Sequence, residues 1–136
     1  MEFIGLRNLL MPLNTLKVSK LNHTWIFDID GTILKHNDYL LGNDKLLPGI
    51  KELWKKISIK DTIIILTARD KKYRKKTIKF LNENKLRFNH IIFGLPYGER
   101  FLFNDIKPNG LKTAVAINLK RNKGLKNLKI NKDNKK

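Results

Sequence analysis

The sequence predicts an α/β fold: a parallel sheet of about five strands with helices on both sides. Three observations predict it. Short runs of apolar, β-branched and aromatic residues show no polar alternation, as strands buried on both faces require. Stretches with apolar residues at helical spacing lie between them. Polar residues stand directly after several of the runs, where open α/β sheets collect their functional groups.

Each element follows in order. Residues 1–22 form an N-terminal extension, mildly hydrophobic around Leu9, Leu10 and Met11. It lacks a basic start, an unbroken apolar stretch and a small-residue cleavage site, so no secretory signal is expected and a cytoplasmic location is. Met11 is a second candidate start. TWIFDI (24–29) reads as a buried strand, broken by Gly31-Thr32. From Ile33 to Leu47 the chain is turn-rich. Pro48-Gly49 then opens a helix in which Ile50, Leu53, Trp54 and Ile57 share a face. TIIIL (62–66) is the strongest strand signal. Thr67-Ala68-Arg69-Asp70 leads into a basic helix over about 71–86, with Ile78, Leu81 and Leu86 facing the core. HIIF (90–93) and RFLF (100–103) are expected strands, separated by a turn holding Gly94, Pro96 and Gly98. TAVAINL (113–119) completes the sheet, so the folded domain is expected to span 23–119. In residues 120–136 seven Lys and one Arg face a single Asp. Leu125, Leu128 and Ile130 are too sparse there for a core element, so a flexible basic tail is expected.

Composition bounds the function. A chain of 136 residues, 41% hydrophobic, suits one compact domain. No run approaches the roughly 20 apolar residues of a membrane span. The absence of cysteine excludes disulfides and thiolate metal sites. The formal charge of +17 comes from 23 Lys and only 6 Arg, beside 15 Asn. Phosphate and base recognition favours Arg, so this balance is read as the coding bias of an AT-rich genome. The positive field still draws anionic substrates. Nucleic acid is the secondary expectation as a partner.

The strand-end residues carry the chemistry. Asp28, Asp30 and Thr32 follow the first run, Thr67 and Arg69 the second, and Asp105 the fourth. A carboxylate pair spaced two residues apart can divide attack from proton transfer. Its repulsion calls for a hard cation with oxygen ligands, Mg²⁺. Thr67 can either contact an anion or cap the helix that follows.

WIFDIDGTI resembles the first motif of the haloacid dehalogenase superfamily, a hydrophobic strand followed by DxDGT. IIILTAR is similar to the second, a strand ending in Thr or Ser, and RFLFND to the fourth, a strand ending in a metal-binding acid. Order and spacing agree over roughly 23–119. The resemblance implies a three-layer, Rossmann-like, magnesium-dependent phosphatase. In it Asp28 forms an aspartyl-phosphate and Asp30 serves as acid and base. Asp28, the Asp30 main chain and Asp105 would hold Mg²⁺, and Thr67 would bind phosphate.

The third motif departs from the family. Where related members carry Gly-Lys-Pro, this chain has Gly94-Leu95-Pro96, and Leu95 supplies no charge. Substitutes for the missing cation are Lys107, Arg100, Lys72 and Arg69. Lys107 is preferred because Arg100 would begin a strand at the wrong end of the sheet. Asn109 is either a water-mediated metal contact or a turn residue. His36 and Asn37 sit where the family places a flap over the site and are candidate substrate contacts.

Neither interval that could house a cap domain is long enough for one. An open site suits a large phosphorylated substrate, or a pocket completed by a second subunit of a homo-oligomer. By analogy with capless members, the substrate expected is a phosphorylated sugar or sugar conjugate. Two alternatives stand beside it: a nucleic-acid end phosphatase or binding protein, and a catalytically weak regulatory or assembly protein on the same scaffold.

Overall fold

The computed structural model describes residues 15–132. The extension around Leu9 to Met11 and the last four residues of the basic tail lie outside them. The described chain is of the mixed α/β class, with parallel strands and two helices.

Strands β2 (Thr24–Asp28), β3 (Thr62–Leu66) and β4 (His90–Ile92) form one parallel sheet in that order. Asp28 stands beside Leu66 and Leu66 beside Ile92, so the three strands end together. Helix α1 (Ile50–Lys56) connects β2 to β3, and α2 (Arg74–Glu83) connects β3 to β4. These crossovers are what parallel neighbours require.

Why the segments adopt these forms is local. The residues of β2 and β3 are almost all β-branched or aromatic, which favours the pleated state. Phe27, Ile63 and Ile65 bury one sheet face together with Ile50, Leu53 and Trp54 of α1. The Phe27 and Trp54 ring centroids are 4.4 Å apart. On the face shared with Asp28, Ile26 and Ile92 stay about half exposed, at 48% and 47%.

The basic helix is shorter than expected. Lys71–Tyr73 is a 3₁₀ turn, started where the Asp70 carboxylate accepts the Lys72 N–H, and α-helix proper begins at Arg74. The helix stops because Lys85 adopts φ 57°. The Leu86 N–H then donates to the Leu81 carbonyl and the Lys85 N–H to that of Asn82. This is a Schellman ending with Lys where Gly is usual, and Leu81 and Leu86 seal it with a buried contact. Thr77, rather than Ile78, joins Leu81 as a fully buried residue.

Three expectations are corrected. First, among the described residues a single sheet of about five strands is not formed: three strands make one sheet and two make another. Second, RFLF (100–103) and TAVAINL (113–119) are not strands. Phe101, Leu102 and Phe103 are 79%, 59% and 91% exposed. Strand propensity is realised only against a partner edge and a packed face. This segment is held by side chains instead: Arg100 reaches Asp28, and Asn104 donates to the Thr113 carbonyl and hydroxyl.

Third, the tail reading fails for residues 120–132. Leu125 and Leu128 are buried in the main core. Beyond them β5 (Lys129–Lys132) pairs in parallel with β1 (Thr15–Val18), part of the segment read as an extension. Sparse apolar residues suffice here because the backbone does the rest. The Leu125 N–H donates to the Pro48 carbonyl at 2.8 Å, and the Lys56 ammonium donates to the Leu128 carbonyl. Gly49 and Gly124, both at positive φ, let the two backbones pass in contact.

Candidate functional site

Strand β2 ends in Asp28, and the turn after it is tight. The N–H groups of Thr32, Ile33 and Leu34 all point at the Ile29 carbonyl, a reversal that Gly31 permits at φ 85°. The turn brings the Thr32 hydroxyl within 3.5 Å of Asp28 Oδ2. Arg100 Nη1 lies 3.1 Å from Asp28 Oδ1. Both side chains of that pair are more than a third exposed. Asp28 is thus an accessible carboxylate with a cation and a hydroxyl on its two oxygens.

Arg100, expected at the wrong end of the sheet, is the cation that reaches the first-motif acid. It can do so because residues 100–103 are not a strand. Lys107, the preferred substitute, sits elsewhere: its main chain closes the 107–111 turn, donating to Leu111 and accepting from Gly110. Lys72 is exposed, its ammonium 5.3 Å from the Tyr73 ring centroid. Arg69 is buried with its side chain 0% exposed.

Arg69 organises a buried ion cluster. Its Nε donates to Asp30 Oδ2 at 3.1 Å and its Nη2 to Asp30 Oδ1 at 2.9 Å. The same guanidinium grips Asp44 through Nη1 and Nη2, at 3.1 and 2.8 Å, and the Thr77 hydroxyl at 2.9 Å. Its carbon lies 4.1 Å from the Tyr39 ring centroid. Burial pulls the Arg69 pKa down, but the hydrogen bonds and charges of Asp44 and Asp30 outweigh it and push it above its ordinary value. Tyr39 is also pushed up, first by burial and then by the Asp30 charge. Both oxygens of Asp30 are therefore engaged by Arg69. Here Asp30 anchors the turn after β2 through Arg69, a different occupation from the acid–base role expected of it.

Thr67, at the end of β3, is fully buried, and its hydroxyl accepts the Arg69 N–H at 3.0 Å. That bond shapes the turn leading to α2, a role of the capping type that uses the hydroxyl as acceptor. Asp105 lies on the exposed 100–105 segment, where its main-chain carbonyl accepts the Thr113 hydroxyl. Among the described residues no group of three or more His, Cys, Asp or Glu gathers closely enough to hold a metal ion. Of the expected Mg²⁺ ligands, the Asp28 carboxylate faces Arg100, and the Asp30 carboxylate, whose main chain rather than side chain is the expected ligand, faces Arg69. The Asn109 side chain accepts the Leu111 N–H, the turn role.

The flap residues acquire a partner that sequence reading missed. Asn122, from the expected tail, accepts the His36 N–H on its side chain at 2.8 Å and donates its own N–H to the Gly31 carbonyl at 3.0 Å. It fastens the turn after Asp28 to the segment holding His36. Asn37, at φ 63°, starts the 3₁₀ turn Asp38–Leu41. Asp44, Tyr39 and Thr77 were missed too, since nothing in their local sequence marks them as partners of Arg69.

Compared with protein-family models, curated proteins and solved structures, the chain matches none of them. No helix among the described residues is long and apolar enough to cross a membrane.

Proposed function

We propose that the chain is a phosphomonoester hydrolase of the haloacid dehalogenase type, Rossmann-like and capless, with Asp28 as nucleophile. The observation that carries the reading is the Asp28 carboxylate itself. It stands at the carboxyl end of a parallel strand, open to solvent, with Arg100 at 3.1 Å and the Thr32 hydroxyl at 3.5 Å.

In this reading a phosphate oxygen takes the place of one Asp28 oxygen at Arg100. The freed carboxylate oxygen attacks phosphorus, the bond to the ester oxygen breaks, and the leaving alkoxide takes a proton from water. Water then hydrolyses the aspartyl-phosphate and restores Asp28. Arg100 neutralises the phosphoryl charge, the main task phosphoryl transfer sets a protein. Asp30 and Arg69 act one step back, fixing the turn that aims Asp28. Mg²⁺ belongs to the proposal through Asp28 and the Asp30 main chain. Asp105 is the third expected ligand, and no step is routed through the ion. A phosphorylated sugar or sugar conjugate is the proposed substrate, accepted by a site without a cap.

The test is phosphate release from sugar phosphates and an aryl phosphate, with Mg²⁺ and with chelator, beside Asp28→Asn. Turnover lost in Asp28→Asn supports the reading, and its dependence on Mg²⁺ decides the metal. Activity that survives the substitution refutes the site. No turnover from the folded protein favours the weak regulatory scaffold.

A further inference from the structure

Helix α2 and the turn before it concentrate charge against local rules. Six of the nine residues from Lys71 to Lys79 are basic. All six are exposed. Among the described residues, none of the six forms an ion pair. The first turn of α2 holds no acid. The cations crowd the helix N-terminus, whose dipole is already positive. Lys75 and Lys79 repel one another at four-residue spacing on α2, with Lys76 in the row beside them, and Lys71 and Lys72 precede them in the 3₁₀ turn. Lys72 and Arg74 lie over the Tyr73 and Phe93 rings, but among the described residues no carboxylate offsets the other four, and local stability alone would disperse such charge.

A second observation says what the charge is for. Beside the lysine rows lies a pocket of about 290 Å³ lined by Tyr39, Tyr73 and Phe80 together with Lys76, Lys79 and Glu83. The Tyr39 and Tyr73 rings meet edge to face, centroids 4.8 Å apart. Lysines provide point charges that follow a flexible backbone without reading its sequence. Aromatic rings beside them stack bases. An acidic peptide would use the charge but not the rings, and a rigid duplex would keep its bases from the pocket.

We propose that the exposed face of α2 and this pocket bind single-stranded nucleic acid, backbone phosphates along the lysine rows and a base against the tyrosines. Glu83, which also lines the pocket, would accept from base N–H groups. Asp44 and Thr77, which also line the pocket, are both held by Arg69, so one residue separates the pocket from Asp30. The surface is independent of the phosphatase reading, since binding requires no phosphoryl transfer.

The test is fluorescence anisotropy with a labelled oligothymidylate whose ends carry hydroxyls, titrated into the full chain over a range of salt. Saturable, salt-dependent binding is expected. Replacing Lys75, Lys76 and Lys79 together by Ala should flatten the slope of log K against log salt by about 2, at ~0.7 for each phosphate no longer neutralised. Tyr73→Leu should weaken oligonucleotide binding about tenfold while leaving heparin binding unchanged, and Tyr73→Phe should restore it. Circular-dichroism melts of each variant separate loss of binding from loss of fold. The proposal is overturned by no binding at low salt, by a slope the triple variant leaves unchanged, by an affinity indifferent to Tyr73→Leu, or by equal affinity for duplex DNA. Binding should persist in Asp28→Asn, so this test and the hydrolysis assay fail separately.

Discussion

Arg69 has five N–H donors, and Asp30, Asp44 and Thr77 take up all of them inside the protein. A guanidinium so saturated is closed to a ligand, and its removal would strand two carboxylates. Arg69→Ala is expected to cost about 3–5 kcal/mol, the usual result of breaking a buried ion pair from one side. Arg69→Lys should recover little of it, because three donors on a single nitrogen cannot grip two carboxylates in the planes a fork matches. Urea denaturation of both variants checks this. Arg100 is the opposite case. Its pair with Asp28 is more than a third exposed, so little stability rests on it. Arg100→Ala should leave the melting temperature within a few degrees and, under the proposed phosphatase reading, lower kcat/KM at least ~100-fold, the scale of removing one transition-state charge partner. A steady-state assay beside a thermal melt separates the two. The sequence pointed to both arginines but not to their jobs, because each job depends on residues distant along the chain.

At the scale of elements, the crossing of Pro48-Gly49 with Gly124-Leu125 joins the C-terminal segment to the core. A Cβ at Gly49 would run into the Leu125 carbonyl, and one at Gly124 into that of Pro48. Both residues also have positive φ, where other residues are strained. Gly49→Ala should therefore destabilise by about 2 kcal/mol or more, from strain and overpacking together. Gly42→Ala is the control, since it shares a positive φ but has nothing within 4 Å of the added carbon. It should cost clearly less by chemical denaturation. The apolar runs of β2 and β3 and the helical spacing of α1 were legible because such patterns are written in adjacent residues. RFLF carried the same composition without becoming a strand. Its propensity met no partner edge, and Arg100 found an ionic one.

The whole molecule must hold together a net charge of +17, whose self-repulsion favours expansion. Its acid stability rests partly on Asp61, a buried residue at the entrance to β3. Asp61 accepts the His23 N–H at 3.0 Å and the Trp25 indole N–H at 2.9 Å, with the His23 ring at 3.6 Å. Burial raises its pKa, but those hydrogen bonds and the neighbouring His23 outweigh it, so the net shift is downward. A carboxylate depressed in the folded state stabilises above its unfolded pKa, about 3.9. That contribution fades as pH falls below this value toward the folded pKa. Stability should drop as the pH falls below about 4 in the wild type. Asp61→Asn should be less stable at neutral pH and show a shallower drop, measured by denaturation across that range.

The sequence by itself determined the α/β class, the strands it placed at 24–29, 62–66 and 90–93, and the position of Asp28 near a strand end. These depend on apolar periodicity and chain-breaking residues, interactions between near neighbours. Only the tertiary structure decided that Arg100 rather than Lys107 meets Asp28, and that Asp30 is held in a buried cluster with Arg69 and Asp44. It alone brought Tyr39 beside the lysines of α2 and fixed part of the basic tail in the core. The physical reason is common to all four. A hydrogen bond or ion pair between residues far apart in the chain leaves no periodic trace in either segment. It exists only once the backbone has brought the two together.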